Sequence, residues 1–171
     1  MNETDYQIDL EKTINMYSNM LFRTCFVMLR NRADAEDIVQ ETFIKYMMAE
    51  MNFNDEEHKK AWLIKVSQNL CRDYLRVKKK HILVSYEDMQ EAITSGKPGH
   101  LIEDVDEIIK ISKLNYKYKS VVMLHYIEDY SVEETAEILG ISVSAVKMRL
   151  MRARGKLRMA FEKVYKEELN R

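Results

Sequence analysis

The sequence predicts an all-α protein of two small helical domains joined by a flexible acidic linker, the second domain carrying a helix-turn-helix. Three observations carry this. The 171 residues include only four glycines and one proline, and no run alternates Val, Thr or aromatic residues with polar ones. Apolar residues recur at three- and four-residue spacing through most of the chain. Gly96 and Gly99 flank the sole proline, Pro98, in TSGKPGH, the clearest boundary in the sequence. With 46% hydrophobic content, a chain of this length fills two small cores better than one of moderate size. The expected division is a first domain over residues 1–80, a linker over 81–102 and a second domain over 103–171.

From about Ile8 to Arg30, Leu10, Ile14, Tyr17, Leu21, Cys25 and Met28 keep a helical rhythm that Phe22, Phe26 and Leu29 broaden. This is a core-forming helix. Asn31 to Ala33 break the rhythm, and Asp34 is the expected N-cap of the second helix, with Asp37 near the favourable end of its dipole. Ala35, Ile38, Val39, Thr42, Phe43 and Tyr46 form the expected buried side. Asp37, Gln40, Glu41 and Lys45 are left as a polar stripe, which helix periodicity reads equally as a solvated face or a docking surface.

MNFNDEEHKK, residues 51–60, loses periodicity and reads as a loop, with Asp55 capping the next helix. That helix, about Lys60 to Lys80, has Trp62, Leu63, Val66, Leu70, Tyr74 and Leu75 as its apolar positions. Lys59, Lys60, Lys65, Arg72, Arg76 and Lys78 to Lys80 supply positive charge. Aromatic residues interleaved with cations suit opened DNA, where bases stack and phosphates pair with Lys or Arg, although a Trp at helical spacing serves equally as core. Beyond the linker a helix beginning at Ile102, with Val105, Ile108, Ile109 and Leu114, starts the second domain. Tyr118 to Tyr126 continues it as an apolar support.

SVEETAEILGISVSAVKMRLMRARGKLR, residues 131–158, reads as the helix-turn-helix. Ser131 and Glu134 have capping-box spacing, Val132, Ala136 and Leu139 face inward, and Gly140 supplies the positive φ that ends the helix. Ser142 caps the second helix. There Val143, Val146, Leu150, Ala153 and Leu157 form the apolar face, leaving Lys147, Arg149, Arg152, Arg154, Lys156 and Arg158 mostly off it. A two-helix unit with this turn and a basic second helix is the layout that enters a DNA major groove.

The net charge of −1 conceals a segregation: Lys and Arg against Asp and Glu number 13 to 13 over residues 1–80, 2 to 7 over 81–112 and 12 to 8 over 113–171. A protein with strong DNA affinity of its own is usually more basic, so weak autonomous binding helped by a larger partner is expected. Cys25 and Cys71 lie far apart with no metal-ligand spacing and are expected as buried thiols. Asp34, Glu36, Asp37 and Glu41 lack the Glu-x-x-His partners of a helical metal site. His58, His81, His100 and His125 are scattered, with no nucleophile-base spacing. No metal, no cofactor and no enzymatic activity are expected. No leader and no bilayer-length apolar run appear, which places the protein in the cytoplasm without membrane insertion.

DAEDIVQETFIK, then KAWLIKVSQNLCRDYLR, then a helix-turn-helix with AVKMRLMRAR resemble, in that order, the extracytoplasmic-function sigma factors, small two-domain promoter-specificity subunits of bacterial RNA polymerase. The resemblance runs from roughly Tyr17 to Arg158 apart from the linker. It implies that Asp37, Gln40 and Glu41 dock onto the clamp helices of the polymerase's largest subunit. It implies that the 51–60 loop captures a base flipped from the minus-10 element, with Phe53 as wall and Asn54 as reader, and that Trp62, Asn69, Arg72 and Arg76 face that DNA. For minus-35 duplex it implies base reading by Ser144, Ala145, Lys147, Met148 and Arg149, with Arg152 and Arg154 on phosphates. The linker would thread near the active-centre cleft. The family commonly has Thr and Ser where this chain has Ala145 and Met148, and Pro where it has Asn115, so its minus-35 preference does not transfer. Core RNA polymerase and promoter DNA are the implied partners. Many members also have an anti-sigma partner, a relation that no single residue here marks. The competing reading is a free-standing helix-turn-helix regulator binding operator DNA as a dimer; the polar stripe and the two-domain division count against it.

Overall fold

The computed structural model describes residues 3–49, 53–77, 111 and 113–169, with side chains from residue 7 and up to residue 159 within those limits. The chain divides into two compact units, Met1–Lys97 and Pro98–Arg171. Among the described residues every regular element is helical. The expected linker over 81–102, the helix from Ile102 with Val105, Ile108 and Ile109, and the cations Lys78 to Lys80 lie outside the described residues.

The first unit packs three helices against one another: α1 (Glu3–Leu29), α2 (Arg32–Met48) and α3 (Glu56–Val77). Leu21, Cys25, Phe26, Val27 and Met28 of α1 are almost wholly buried, as its rhythm requires. It ends where Arg30 takes a left-handed φ of 56° and gives its N–H to the Phe26 carbonyl at 2.7 Å. That turn leaves Asn31 extended, and its side-chain oxygen accepts the Asp34 N–H at 2.9 Å. The cap of α2 is therefore Asn31 and not Asp34, which sits in the first turn; the short polar residue that meets an orphan N–H is decided by where α1 stops. The buried side of α2 is Ala35, Ile38, Val39, Thr42, Phe43 and Tyr46, as its period predicts.

Helix α3 begins earlier than its apolar pattern indicates, because Asp55 Oδ1 accepts the His58 N–H at 2.7 Å and caps it there. Its buried residues are Lys59, Leu63, Ile64, Ser67, Gln68 and Cys71. Lys59, expected among the outward cations, is thus a correction, whereas Val66, Leu70, Tyr74 and Leu75 are only half-buried.

In the second unit, α4 (Tyr116–Val122) runs into a π turn (Met123–Ile127), and α5 (Val132–Leu139) and α6 (Val143–Leu169) come after it. Tyr118, Val121, Val122, Met123 and Leu124 meet Ala136, Ile138, Val146, Leu150 and Ala153 in its core. On α5 the buried residues are Thr135, Ala136 and Ile138, and the expected inward Val132 and Leu139 are only partly covered. Gly140 has φ 63° and ψ 40°, and the Ile141 N–H reaches the Ala136 carbonyl at 3.0 Å, so the turn closes as a left-handed C-cap. Ser142 Oγ accepts the Ala145 N–H at 3.1 Å and starts α6.

The Ser131 capping box is complete: Ser131 Oγ accepts the Glu134 N–H at 3.1 Å, and Glu134 Oε2 accepts the Ser131 N–H at 2.8 Å. Hydrogen bonds from the Ser131 hydroxyl and then its backbone hold the Glu134 carboxyl below the ordinary value of 4.5. A lowered carboxyl stabilises the fold above the ordinary value and loses that contribution as pH falls through the lowered one. Ser131→Ala is expected to cost about 1 kcal/mol at neutral pH and to flatten this acid-side dependence. Denaturant midpoints at pH 7 and in mild acid check both.

Candidate nucleic-acid and polymerase interfaces

Helix α2 presents Asp37, Gln40 and Glu41 to solvent on the side opposite its buried row. Spacing of three and four aligns them into one strip about a turn long. The carboxylate of Glu41 stands 3.6 Å from Lys45 Nζ with both side chains half exposed, an ion pair that a partner's charge can displace at little cost. Ile44, Met47 and Met48 continue the exposed side toward the end of the helix.

Where α2 ends and α3 begins, four rings gather. Phe53 packs on Tyr46 and Trp62 at 5.7 Å each and on His58 at 5.5 Å, and Trp62 lies 6.2 Å from Tyr46. Phe53 and Trp62, nine residues apart in sequence, are therefore one surface. Asn54 is exposed, and its N–H points at His58 Nδ1 at 3.3 Å, which fixes the backbone of the loop. Under the rings lies Lys59, whose ammonium reaches Asp9 Oδ1 at 2.8 Å and Glu56 Oε1 at 3.3 Å. Burial opposes its charge, but hydrogen bonds to Asp9 and Glu56 and the nearby Tyr46 outweigh it and hold the ammonium above the ordinary lysine value. Asp9 is held below 3.8 in turn, burial being outweighed by the Lys59 and Tyr46 hydrogen bonds. Burial, then the bond to Glu56, pushes the Tyr17 hydroxyl up to about 12.

Further along α3, Asn69 is half-buried, while Arg72 and Arg76 are exposed. Both guanidinium groups lean on one carboxylate, Asp73 Oδ1, at 3.7 Å and 3.8 Å. The structure thus brings Phe53, Asn54 and Trp62 together at one end of α3 and sets Asn69, Arg72 and Arg76 two to four turns away.

On α6, Ser144, Lys147 and Met148 are exposed and Ala145 and Arg149 half-exposed, opposite the buried Val146, Leu150 and Ala153. Arg152 is exposed, and the Arg154 guanidinium lies over the Tyr126 ring at 5.9 Å from its centroid. Two residues on this face are not among those the sequence singles out. Met151 is 60% exposed and lies three residues beyond Met148 and seven beyond Ser144, a spacing that marks it as outward. Tyr126 has only the pattern of an apolar support residue, and nothing local in the sequence pairs it with Arg154.

Among the described residues no group of three or more His, Cys, Asp and Glu could hold a metal ion. Nor is any described helix long and apolar enough to cross a membrane.

Residues 13–81 match Sigma-70 region 2, and residues 110–157 match Sigma-70, region 4. The RNA polymerase sigma factor SigV of Bacillus subtilis (strain 168) is 34% identical over 142 residues, covering 83% of this chain and 84% of its own. The ECF RNA polymerase sigma factor SigW of the same organism is 34% identical over 161 residues, covering 85% and 84%. In fold, the chain resembles the sigma factor RpoE of Bartonella quintana, solved in complex with the anti-sigma factor NepR. The TM-score is 0.65 at 22% identity, over 90% of this chain and 97% of that one. Two sigma regions in their family order, on a two-unit helical fold, do not favour a free-standing operator-binding regulator: the chain belongs to the extracytoplasmic-function RNA polymerase sigma factors.

Proposed function

We propose a division of labour in which residues 1–80 dock core RNA polymerase and open the minus-10 element while residues 103–171 read minus-35 duplex, with 81–102 as the linker. The observation that carries it is the strip of Asp37, Gln40 and Glu41, exposed on a helix whose opposite row is buried. Carboxylates on a rigid helix are a docking element for a basic partner surface, and they contribute nothing to the core. Phe53 and Trp62 supply ring faces for an unpaired base, Asn54 hydrogen-bonding groups for its edge, and Asn69, Arg72 and Arg76 the contacts to the opened strand. Ser144, Ala145, Lys147, Met148 and Arg149 face the base edges of minus-35, with Arg152 and Arg154 on phosphates.

In this reading the protein works in the cytoplasm with core polymerase and promoter DNA, carries no cofactor and performs no catalytic step of its own. An anti-sigma protein is a further partner, in keeping with the complex in which RpoE was solved. Run-off transcription with core polymerase on a library of promoter fragments tests the whole. The chain should select a subset of fragments and protect two blocks near minus-10 and minus-35. Polymerase that selects the same fragments without the chain would overturn the proposal.

The shared carboxylate of Asp73 leads to a second expectation. Exposed pairs of this kind are worth about 0–1 kcal/mol, so Asp73→Asn should release Arg72 and Arg76 and tighten binding to single-stranded minus-10 DNA by up to about fivefold at low salt. Fluorescence anisotropy with a labelled oligonucleotide measures it, and a gain that persists unchanged at high salt would show another cause.

A further inference from the structure

Lys59 is out of place for a cation in a nucleic-acid-binding unit. It lies in the first turn of α3, only 6% exposed, where it can meet no phosphate. Its three ammonium donors have three acceptors: Asp9 Oδ1 at 2.8 Å, Glu56 Oε1 at 3.3 Å and Thr13 Oγ1 at 3.4 Å. The second oxygen of Asp9 accepts the Tyr46 hydroxyl at 2.5 Å, and the second oxygen of Glu56 accepts the Tyr17 hydroxyl at 3.1 Å. One ion therefore ties α1, α2 and α3 together at a single level. A hydrophobic side chain would fill the same space, often with equal or better stability, so such an ion is better explained by the geometry it imposes.

That geometry concerns the ring surface above it. Lys59 Nζ lies 5.9 Å from the centroid of Tyr46, the ring on which both Phe53 and Trp62 rest. Tyr46 is thus held at its hydroxyl by Asp9 and approached at its face by the ammonium. Phe53 and Trp62 pack on the ring so held, and the Asn54–His58 and Asp55–His58 hydrogen bonds fix the loop from the other side. A wall ordered beforehand spares a captured base the cost of ordering it.

We propose that Lys59 is the positioning residue of the minus-10 loop: its buried ion cluster with Asp9 and Glu56 holds Tyr46, and through Tyr46 the Phe53–Trp62 wall, in the arrangement that receives an unpaired base. This rests on the assignment of the Phe53 loop to minus-10. Lys59 touches neither polymerase nor DNA; it acts through Tyr46.

The test uses the full chain assembled with core polymerase, comparing wild type with Lys59→Met, Asp9→Asn and Phe53→Ala. Opening is read as permanganate reactivity of minus-10 thymines, on duplex promoter and on a promoter carrying a pre-melted minus-10 mismatch. The emission of Trp62, the only tryptophan in the chain, reports the state of the wall. Lys59→Met should retain polymerase binding, lose opening on duplex by about tenfold, the size of a single aromatic interaction, recover part of it on the pre-melted promoter, and shift Trp62 emission to longer wavelength well below its melting temperature. A merely structural role would lower the melting temperature and leave native emission unchanged, which overturns the proposal, as does undiminished opening. Where Lys59→Met fails to fold, Asp9→Asn decides, since it keeps the shape and removes the counter-charge: a loss of opening with the emission shift supports the role, and wild-type opening ends it. Opening unaffected by Phe53→Ala would overturn the minus-10 reading of the loop. Opening lost in Phe53→Ala but kept in Lys59→Met would overturn only the role of Lys59.

Discussion

Asp37→Arg combined with Glu41→Arg is expected to abolish co-purification with core RNA polymerase and leave the helical content of the chain unchanged. Both side chains are exposed, and the weak Glu41–Lys45 ion pair that the change removes holds nothing in the core. Exposed substitutions of this kind usually change stability by no more than about 0.5 kcal/mol. At a docked interface the same reversal sets like charges against each other, which costs several kcal/mol, and each 1.4 kcal/mol is about a tenfold loss of affinity. Affinity measurement and circular dichroism on the same preparations separate the two. If the double variant binds polymerase as wild type does, α2 is not the docking face. If wild type itself fails to bind while retaining duplex DNA, the proposed mode of action is wrong.

The second large effect is expected in α6, where adjacent residues face opposite ways. Leu150 is 2% exposed and Met151 is 60% exposed. Leu150→Ala opens a cavity in a small core and should cost about 2–5 kcal/mol, a large part of what a domain of this size has to lose. Its minus-35 affinity should fall with its folded fraction. Met151→Ala should leave stability within about 0.5 kcal/mol and weaken minus-35 duplex binding by removing apolar surface at the groove. Urea titrations and duplex anisotropy on both variants check this, and equal destabilisation by the two would refute the assignment of faces on α6.

Local rules decide the features that are legible in the sequence. Ser131 with Glu134, Gly140 and Ser142 each act on backbone groups within four residues, and all three features stand in the structure as their spacing predicts. The buried row of α2 is legible for the same reason, since its inward residues obey one period. On α3 that logic fails. Its core side contains Lys59, Ser67 and Gln68, polar residues that a hydrophobic pattern assigns to solvent, so the pattern draws the apolar face around Trp62, Val66 and Leu70 instead. Lys59 is buried because Asp9, fifty residues away, satisfies it, and no short window of sequence contains both. The sequence misplaces the cap of α2 for a smaller version of the same reason: Asn31 is free to cap only because Arg30 has already ended α1 in the left-handed region. Of the candidate sites, the exposure of Asp37, Gln40 and Glu41 comes directly from spacing. The meeting of Phe53 with Trp62 and of Arg154 with Tyr126 does not, because ring contacts across a turn depend on packing.

The π turn at Met123–Ile127, closed by the Glu128 N–H on the Met123 carbonyl at 3.0 Å, has a bearing on descent. A π turn is an α-helix that has taken in one extra residue. Since each residue advances an α-helix by about 100°, a lineage that loses one position within the regular turns of Tyr116–Val122 rotates everything beyond it by that angle, and Tyr126 swings away from Arg154 even though both letters survive. A position lost within 123–127 instead removes the bulge and leaves the flanking turns in register. In an alignment the two losses are the same one-column gap; in the molecule only the first turns the support helix against α6.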